Sequence, residues 1–146
     1  MGMFDSINIS ASALTAEKTR IDIINKNMAS VNTTRATGGM PYRRQMVVYE
    51  ENKERPFSDY LAKCSNKFNG KGVVISEIVE DETPFKKIYE PGHPDADENG
   101  YVMMPNAEMV TEMVDMIDAQ RANEANITAI NSTKAMLMKA LDIGRR

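Results

Sequence analysis

From position 109 to position 141 one line of residues recurs at alternating steps of four and three. Its members are Met109, Met113, Met116, Gln120, Asn123, Ile127, Ile130, Lys134, Leu137 and Leu141, and only Gln120, Asn123 and Lys134 are polar. That spacing holds one face of an α-helix in register with a partner, as in the seam of a coiled coil. No Gly or Pro interrupts it before Gly144, so the pattern predicts a single helix over 107–142, roughly 54 Å long at 1.5 Å per residue. A helix of that length outruns the core of a compact 146-residue domain. Much of its apolar stripe needs something elongated to lie against.

Both ends of this helix carry boundary signals. Asn106, after Pro105, is placed to cap the first turn, and Glu108 and Glu112 lie near the positive end of the helix dipole. Lys139 lies near the other end, and Gly144 suits a left-handed cap. In the first turns Val110, Val114 and Ile117 add a second apolar stripe beside the methionine seam, wide enough to meet two neighbours.

A second seam opens the chain. Met3, Ile7, Ser10, Leu14, Glu17, Ile21, Ile24, Met28 and Val31 again alternate four and three, which predicts a helix over 6–31. Its opposite face is polar, with Lys18, Arg20, Asp22, Lys26 and Asn27, and Ala11, Ala13 and Ala16 permit close packing. Asn32, Thr33, Thr34, Gly38 and Gly39 should end it. Segments 42–49, 72–79 and 85–89 are rich in β-formers and short enough for strands, and 59–67 leans to a helical turn. The expected fold class is α+β: two long terminal helices pairing as a coiled-coil-like core, with a small β-rich middle insertion. The divisions are 1–35, 36–105 and 106–146, and the middle part alone carries only a modest core.

Composition excludes several classes. A net charge of −3 with a pI near 5.3 gives no bulk electrostatic case for nucleic acid or an anionic membrane. The basic cluster Arg35, Arg43, Arg44, Lys53 and Arg55 is interleaved with Glu50, Glu51 and Glu54, so it reads as a solvated charged surface. No apolar run reaches the roughly 18 residues of a membrane span, and the N-terminus lacks the pattern of a cleavable signal peptide. Cys64 is the single cysteine, which rules out an intramolecular disulfide. Methionine is abundant, with 12 in the chain. Such unbranched thioether side chains suit an adaptable contact surface.

One segment resembles a chemical motif. Asp95, Asp97, Asn99 and Gly100 follow the first half of a calcium loop, but the bidentate Glu due at the twelfth position is Asn106, and Pro91 and Pro94 occupy the place of an entering helix. A turn built from Asx side chains is the competing reading. His93 with Asp95 and Asp97 lacks a second His or a usable Cys nearby. Gly70, Lys71 and Gly72 do not form a phosphate-binding loop. The reading is therefore of a protein that is not an enzyme, with no cofactor and no metal.

Several blocks together resemble a known family. The run 12–35 (SALTAEKTRIDIINKNMASVNTTR), the run 39–45 (GMPYRRQ), the block 89–102 (YEPGHPDADENGYV) and the run 112–126 (EMVDMIDAQRANEAN) are similar to bacterial flagellar axial proteins. That is the family of rod, hook and hook-associated subunits, and the blocks are most similar to its proximal rod members. Asn123 and Met104 stand where the family pattern leads us to expect aromatics. The resemblance implies a structural subunit of the basal body, exported through the flagellar type III apparatus without a cleaved signal and building a helical tube that transmits torque. Its implied partners are other flagellar rod subunits and copies of itself, with no nucleic acid and no direct membrane insertion. The seams then supply the candidate subunit interface: Leu14, Ile21, Ile24, Met28, Val110, Met113, Val114, Ile117, Ile127, Ile130, Leu137 and Leu141. The alternative is a soluble helical adaptor or secretion chaperone-like module, with both helices fully formed in a stable monomer or dimer.

Overall fold

A computed structural model describes residues 3–36, 38–52 and 72–144. In chain order the elements are α1 (Met3–Ala29), β1 (Gln45–Glu51), β2 (Val73–Glu80), β3 (Lys86–Tyr89), β4 (Tyr101–Met104) and α2 (Met109–Gly144). The α+β class and the bracketing helices are as the sequence predicts. Cys64 and segment 59–67 lie outside the described residues.

The helices run antiparallel. Asn27, near the end of α1, meets Glu112, near the start of α2, and Arg20, two turns back along α1, reaches Asp115. With residues 27 and 112 level, the start of α1 comes level with about residue 136 of α2. The last turns of α2 therefore overhang, and Leu141 is 68% exposed.

α1 is the centre of the molecule. It packs against α2 and against both β1 and β2, whereas α2 packs against α1 alone among the described elements. The β1–β2 hairpin is antiparallel, with its register shifted between Val48 and Tyr49 by a bulge. It lies along α1: Gln45 sits beside Asn27 at one end, and the Val73 amide donates to Ser12 Oγ at 3.1 Å at the other. Fifteen residues of helix and seven of strand each cover about 22 Å, so the two elements match in length. The approach at the far end is close enough to require a residue without a Cβ. Gly72 has φ +91°, and a Cβ there would stand 2.1 Å from Ser12 Oγ.

The second hairpin pairs β3 with β4 and packs against neither helix. β4 is not predicted from the sequence, because its Tyr-Val-Met-Met run is only four residues long and runs straight into the helix signal at Pro105. Helix limits also move. α1 begins three residues before the expected start and ends at Ala29, while α2 extends to Gly144. Gly144 is helical rather than left-handed, since the positive φ glycines of the described residues are Gly38, Gly39, Gly72 and Gly100. Nor does the Asn106 side chain cap α2. Its oxygen accepts from the Arg44 amide at 2.8 Å and its nitrogen donates to Asp81 O and to Thr83.

Candidate functional site: an outward helix ridge and a buried carboxylate socket

The seam read from the sequence and the face that meets α1 coincide only in part. Residues of α2 that are buried or half-buried follow the line Glu112, Met116, Ala119, Asn123, Asn126, Ile130, Thr133 and Leu137, with Asp115 and Ala122 half-buried beside it. This is again a four-three line, but its second strand is shifted by one residue from Met113, Gln120, Ile127, Lys134 and Leu141. The helix is thereby rotated, and those five residues face outward.

The candidate interface residues divide accordingly. Ile24 is buried, and Leu14, Ile21, Met28, Ile130 and Leu137 are half-buried. Val110 (69% exposed), Met113, Val114, Ile117, Ile127 and Leu141 remain uncovered. In the first two turns Val110, Met113, Val114 and Ile117 fall at steps of three and four, so they form one ridge. The inner face that α2 gives to α1 is by contrast small and polar at Glu112, Ala119 and Thr133, the three buried residues of the helix.

The structure also builds a site that the sequence does not announce. Glu112 is 0% exposed. Its carboxylate accepts from Arg44 Nε and from Asn27 Nδ2, the latter at 3.0 Å. Asn27, 1% exposed, is fully satisfied. Its oxygen accepts from Tyr42 OH at 2.9 Å and from the Gln45 amide at 3.0 Å, and its nitrogen donates also to Gln45 O at 2.9 Å. Arg44 spreads its guanidinium further, with Nη2 donating to Asp115 Oδ2 at 2.8 Å and Nη1 lying 4.0 Å from Asp81. The bonds that reach Glu112 and Asp115 are charge-assisted, which makes them the strongest polar contacts between the helices and the connector.

Electrostatics follow from this geometry. Burial pulls the Arg44 guanidinium down, but its hydrogen bond to Glu112 and the charges of Glu112, Asp115 and Asp81 outweigh that and leave it raised. Burial raises the Tyr42 phenol, with the charges of Glu112 and Glu80 adding to it. The hydrogen bond from the Thr83 amide, aided by the charges of Arg44 and Arg43, holds the Asp81 carboxyl below its ordinary value.

By sequence alone Asn27 belongs to a polar outer face, Arg44 to a solvated cluster and Glu112 to the helix dipole. Arg44 is instead the hub. Only the spacing of these residues in space reveals it, because the three lie 17 and 68 positions apart in the chain. Arg43 also leaves the solvated cluster: its guanidinium lies 4.7 Å from the Phe85 ring centre and donates to Asp81 O.

The loop with calcium-like spacing is occupied with its own contacts. Asp95 Oδ2 accepts from Thr34 at 2.8 Å and Oδ1 pairs with Arg35, which ties the loop to the segment after α1. The Asp95 amide donates to His93 Nδ1, and Gly100 donates to Asp97 O. The turn rests on backbone bonds and the His93 ring rather than on Asx side chains.

Among the described elements α2 thus gives one face to α1 and leaves its outer ridge exposed. The class is that of flagellar rod-type proteins: residues 98–143, which include all of α2 but its last residue, match the family model described as the C-terminal region of flagellar basal body rod FlgEFG proteins. Three flagellar basal-body rod proteins FlgC are similar over nearly their whole length. The protein from Bacillus subtilis is 46% identical, covering 99% of this chain and 100% of its own. Its counterpart in Borreliella burgdorferi is 44% identical over 98% of each chain, and the one in Salmonella typhimurium 34% identical over 99% and 100%. The chain belongs to the FlgC family of flagellar basal-body rod proteins. Nothing in these relatives supports the adaptor or secretion-chaperone reading.

Proposed function

We infer that this protein is a structural subunit of the flagellar basal-body rod, assembling through its terminal helices with other rod subunits and copies of itself into a helical tube that transmits torque. It reaches the basal body through the flagellar type III export apparatus and is built in at the periplasmic or cell-wall zone. Its business is assembly, not catalysis. The observation that carries the reading is the exposed ridge Val110, Met113, Val114 and Ile117 on a helix that packs against α1 alone among the described elements. Leaving such a ridge in water forgoes about 1.5–3 kcal/mol for each large side chain that a neighbour would bury. The division into terminal helices and the middle segment 36–105 fits the same reading, with the helices as the axial core.

The placement of the candidate residues sets the experiment. Ile24 is buried in the chain's own packing, so Ile24→Asp is expected to disrupt that packing and abolish incorporation indirectly. Ile117→Asp leaves the chain's own packing in place and is expected to abolish incorporation alone. Incorporation is read by complementing a strain lacking the protein and imaging isolated basal bodies. Normal basal bodies with Ile117→Asp and Val114→Asp together would refute the reading.

A further inference from the structure

The threonine hydroxyls and the Asn126 amide along the helix pair do not set its register. Thr15 and Thr19 donate to carbonyls of their own helix, at Ala11 and Thr15, and Asn126 and Thr133 do the same at Ala122 and Ala129. The remaining inner positions of α2 are Met116, Ala119, Asn123, Ile130 and Leu137. Seams of this kind, on a seven-residue repeat, return similar side chains after a slip of one heptad. Chain connectivity does not forbid the slip. β3–β4 packs against neither helix, and the five steps from Met104 to Met109 reach about 17 Å when extended, more than the roughly 10 Å a heptad needs.

Charge breaks this degeneracy. Glu112 is the one fully buried charged residue of α2, with half-buried Asp115 beside it on Arg44 and Arg20; seven residues on from Glu112 stands Ala119, and then come Asn126 and Thr133. The groups that receive it are fastened to α1 without any help from α2. Asn27 is held by Tyr42 and Gln45, Lys26 Nζ donates to Gln45 Oε1, and the Tyr42 amide donates to Thr33 O. A slipped helix would set the Ala119 methyl against the Arg44 guanidinium and Asn27 Nδ2. Buried donors left without a partner are strongly disfavoured.

We propose that the socket formed by Asn27 and Arg44 is a register lock whose buried occupant is the Glu112 carboxylate, with Asp115 at its rim, fixing the height and rotation at which the outer ridge of α2 is presented beside the β1–β2 hairpin. Asn106, bonded to the Arg44 amide, fastens the approach to the helix but does not choose its register. The lock concerns the chain's own helix pair and holds whatever the assembly contacts outside.

The test uses the full chain with Cys64→Ser and Asn106→Ala and nitroxide labels on Lys18→Cys and Lys134→Cys, both exposed positions. Dipolar spectroscopy in dilute solution is expected to give one narrow distance. Relocating the carboxylate with Glu112→Ala and Ala119→Glu is expected to slide α2 by about 10 Å along α1, bringing the two labels closer in a single new population. Removing the lock with Asn27→Leu, Arg44→Leu and Glu112→Leu is expected to keep the helicity and give both distances at once. A broad distribution in the starting chain overturns the proposal, as does an unshifted distance or loss of pairing in the relocated variant. Should the leucine variant not fold, the relocated carboxylate decides by itself.

Discussion

The inner and outer faces of α2 depart from the usual assignment. An isolated amphipathic helix turns its apolar stripe inward and its polar residues to water. Here the residues buried on the inner face are Glu112, Ala119 and Thr133, with Met116, Ile130 and Leu137 half-buried between them, whereas the outer face carries Val110, Met113, Val114, Ile117 and Ile127. Small residues inside let α1 and α2 approach closely, and a hydrogen-bonded carboxylate defines where they meet. Large apolar residues outside are surplus to the monomer. The contrast separates two tasks: the inner face specifies a shape, and the outer face supplies the area for contacts beyond the chain.

If the inner face specifies shape through Glu112, removing that carboxylate should have the largest effect. Glu112→Ala strands the Asn27 amide and part of the Arg44 charge in a buried place. A loss of about 3 kcal/mol in unfolding free energy is expected, discounted from the upper end because Arg44 keeps Asp115 and some access to water. Urea denaturation followed by circular dichroism checks it. A loss below about 0.5 kcal/mol, the level of an ordinary surface change, would remove the distinction between the faces.

The next effect tests whether α1 is held to the hairpin as closely as to α2. Gly72→Ala meets both a left-handed backbone, φ +91°, and the Ser12 hydroxyl. The expected cost is about 2 kcal/mol. Adding Ser12→Gly should return the steric share and leave the backbone share, which a thermodynamic cycle separates.

These two sites also mark how far the sequence could be read. Long unbroken seams made the helices legible, since a 3.5-residue period sustained over ten positions suits a long helix and neither a strand nor a loop. β-branched clusters at Val73, Val74, Ile75, Ile78 and Val79 did the same for β2. The rotation of α2 was not legible, because Met113 and Ile127 are as suited to an inner seam as Met116 and Ile130. Hydrophobicity alone cannot say which stripe belongs to the chain and which to its neighbours. The socket was hidden for a different reason. Asn27, Arg44 and Glu112 each have an ordinary local role, in a polar face, a charged loop and a first helical turn, and only tertiary proximity overrides it.

A smaller effect probes the socket through pH. Tyr42 donates to Asn27 and its phenol is raised above the ordinary 10.0 in the fold. A raised folded value means the contribution is complete below pH 10 and is lost as pH climbs through the folded value. Asp81 has the opposite sign: its lowered carboxyl contributes above the ordinary 3.8, and the contribution disappears as pH falls through the folded value. Tyr42→Phe should cost about 1 kcal/mol at neutral pH and remove part of the alkaline decline while leaving the acid limb intact. Stability curves from pH 3 to pH 11 for the two proteins check this, and an altered acid limb with an unchanged alkaline one would contradict it.

The smallest effect on stability falls on the outer face, where it is the most telling. Val114 is 53% exposed, so Val114→Gln removes little packing and is expected to change unfolding free energy by less than about 0.5 kcal/mol. The same substitution should impair incorporation into basal bodies, because a polar side chain in a closed subunit contact is left without partners. An inner-face residue without a partner on α1 gives the control. Thr133→Ala deletes only a hydroxyl bonded to its own helix at Ala129 and should leave both stability and incorporation close to normal, since no partner across the seam is lost. If Val114→Gln destabilised the monomer by as much as Glu112→Ala, the ridge would belong to the chain's own core in solution, and the division of labour between the faces would fail.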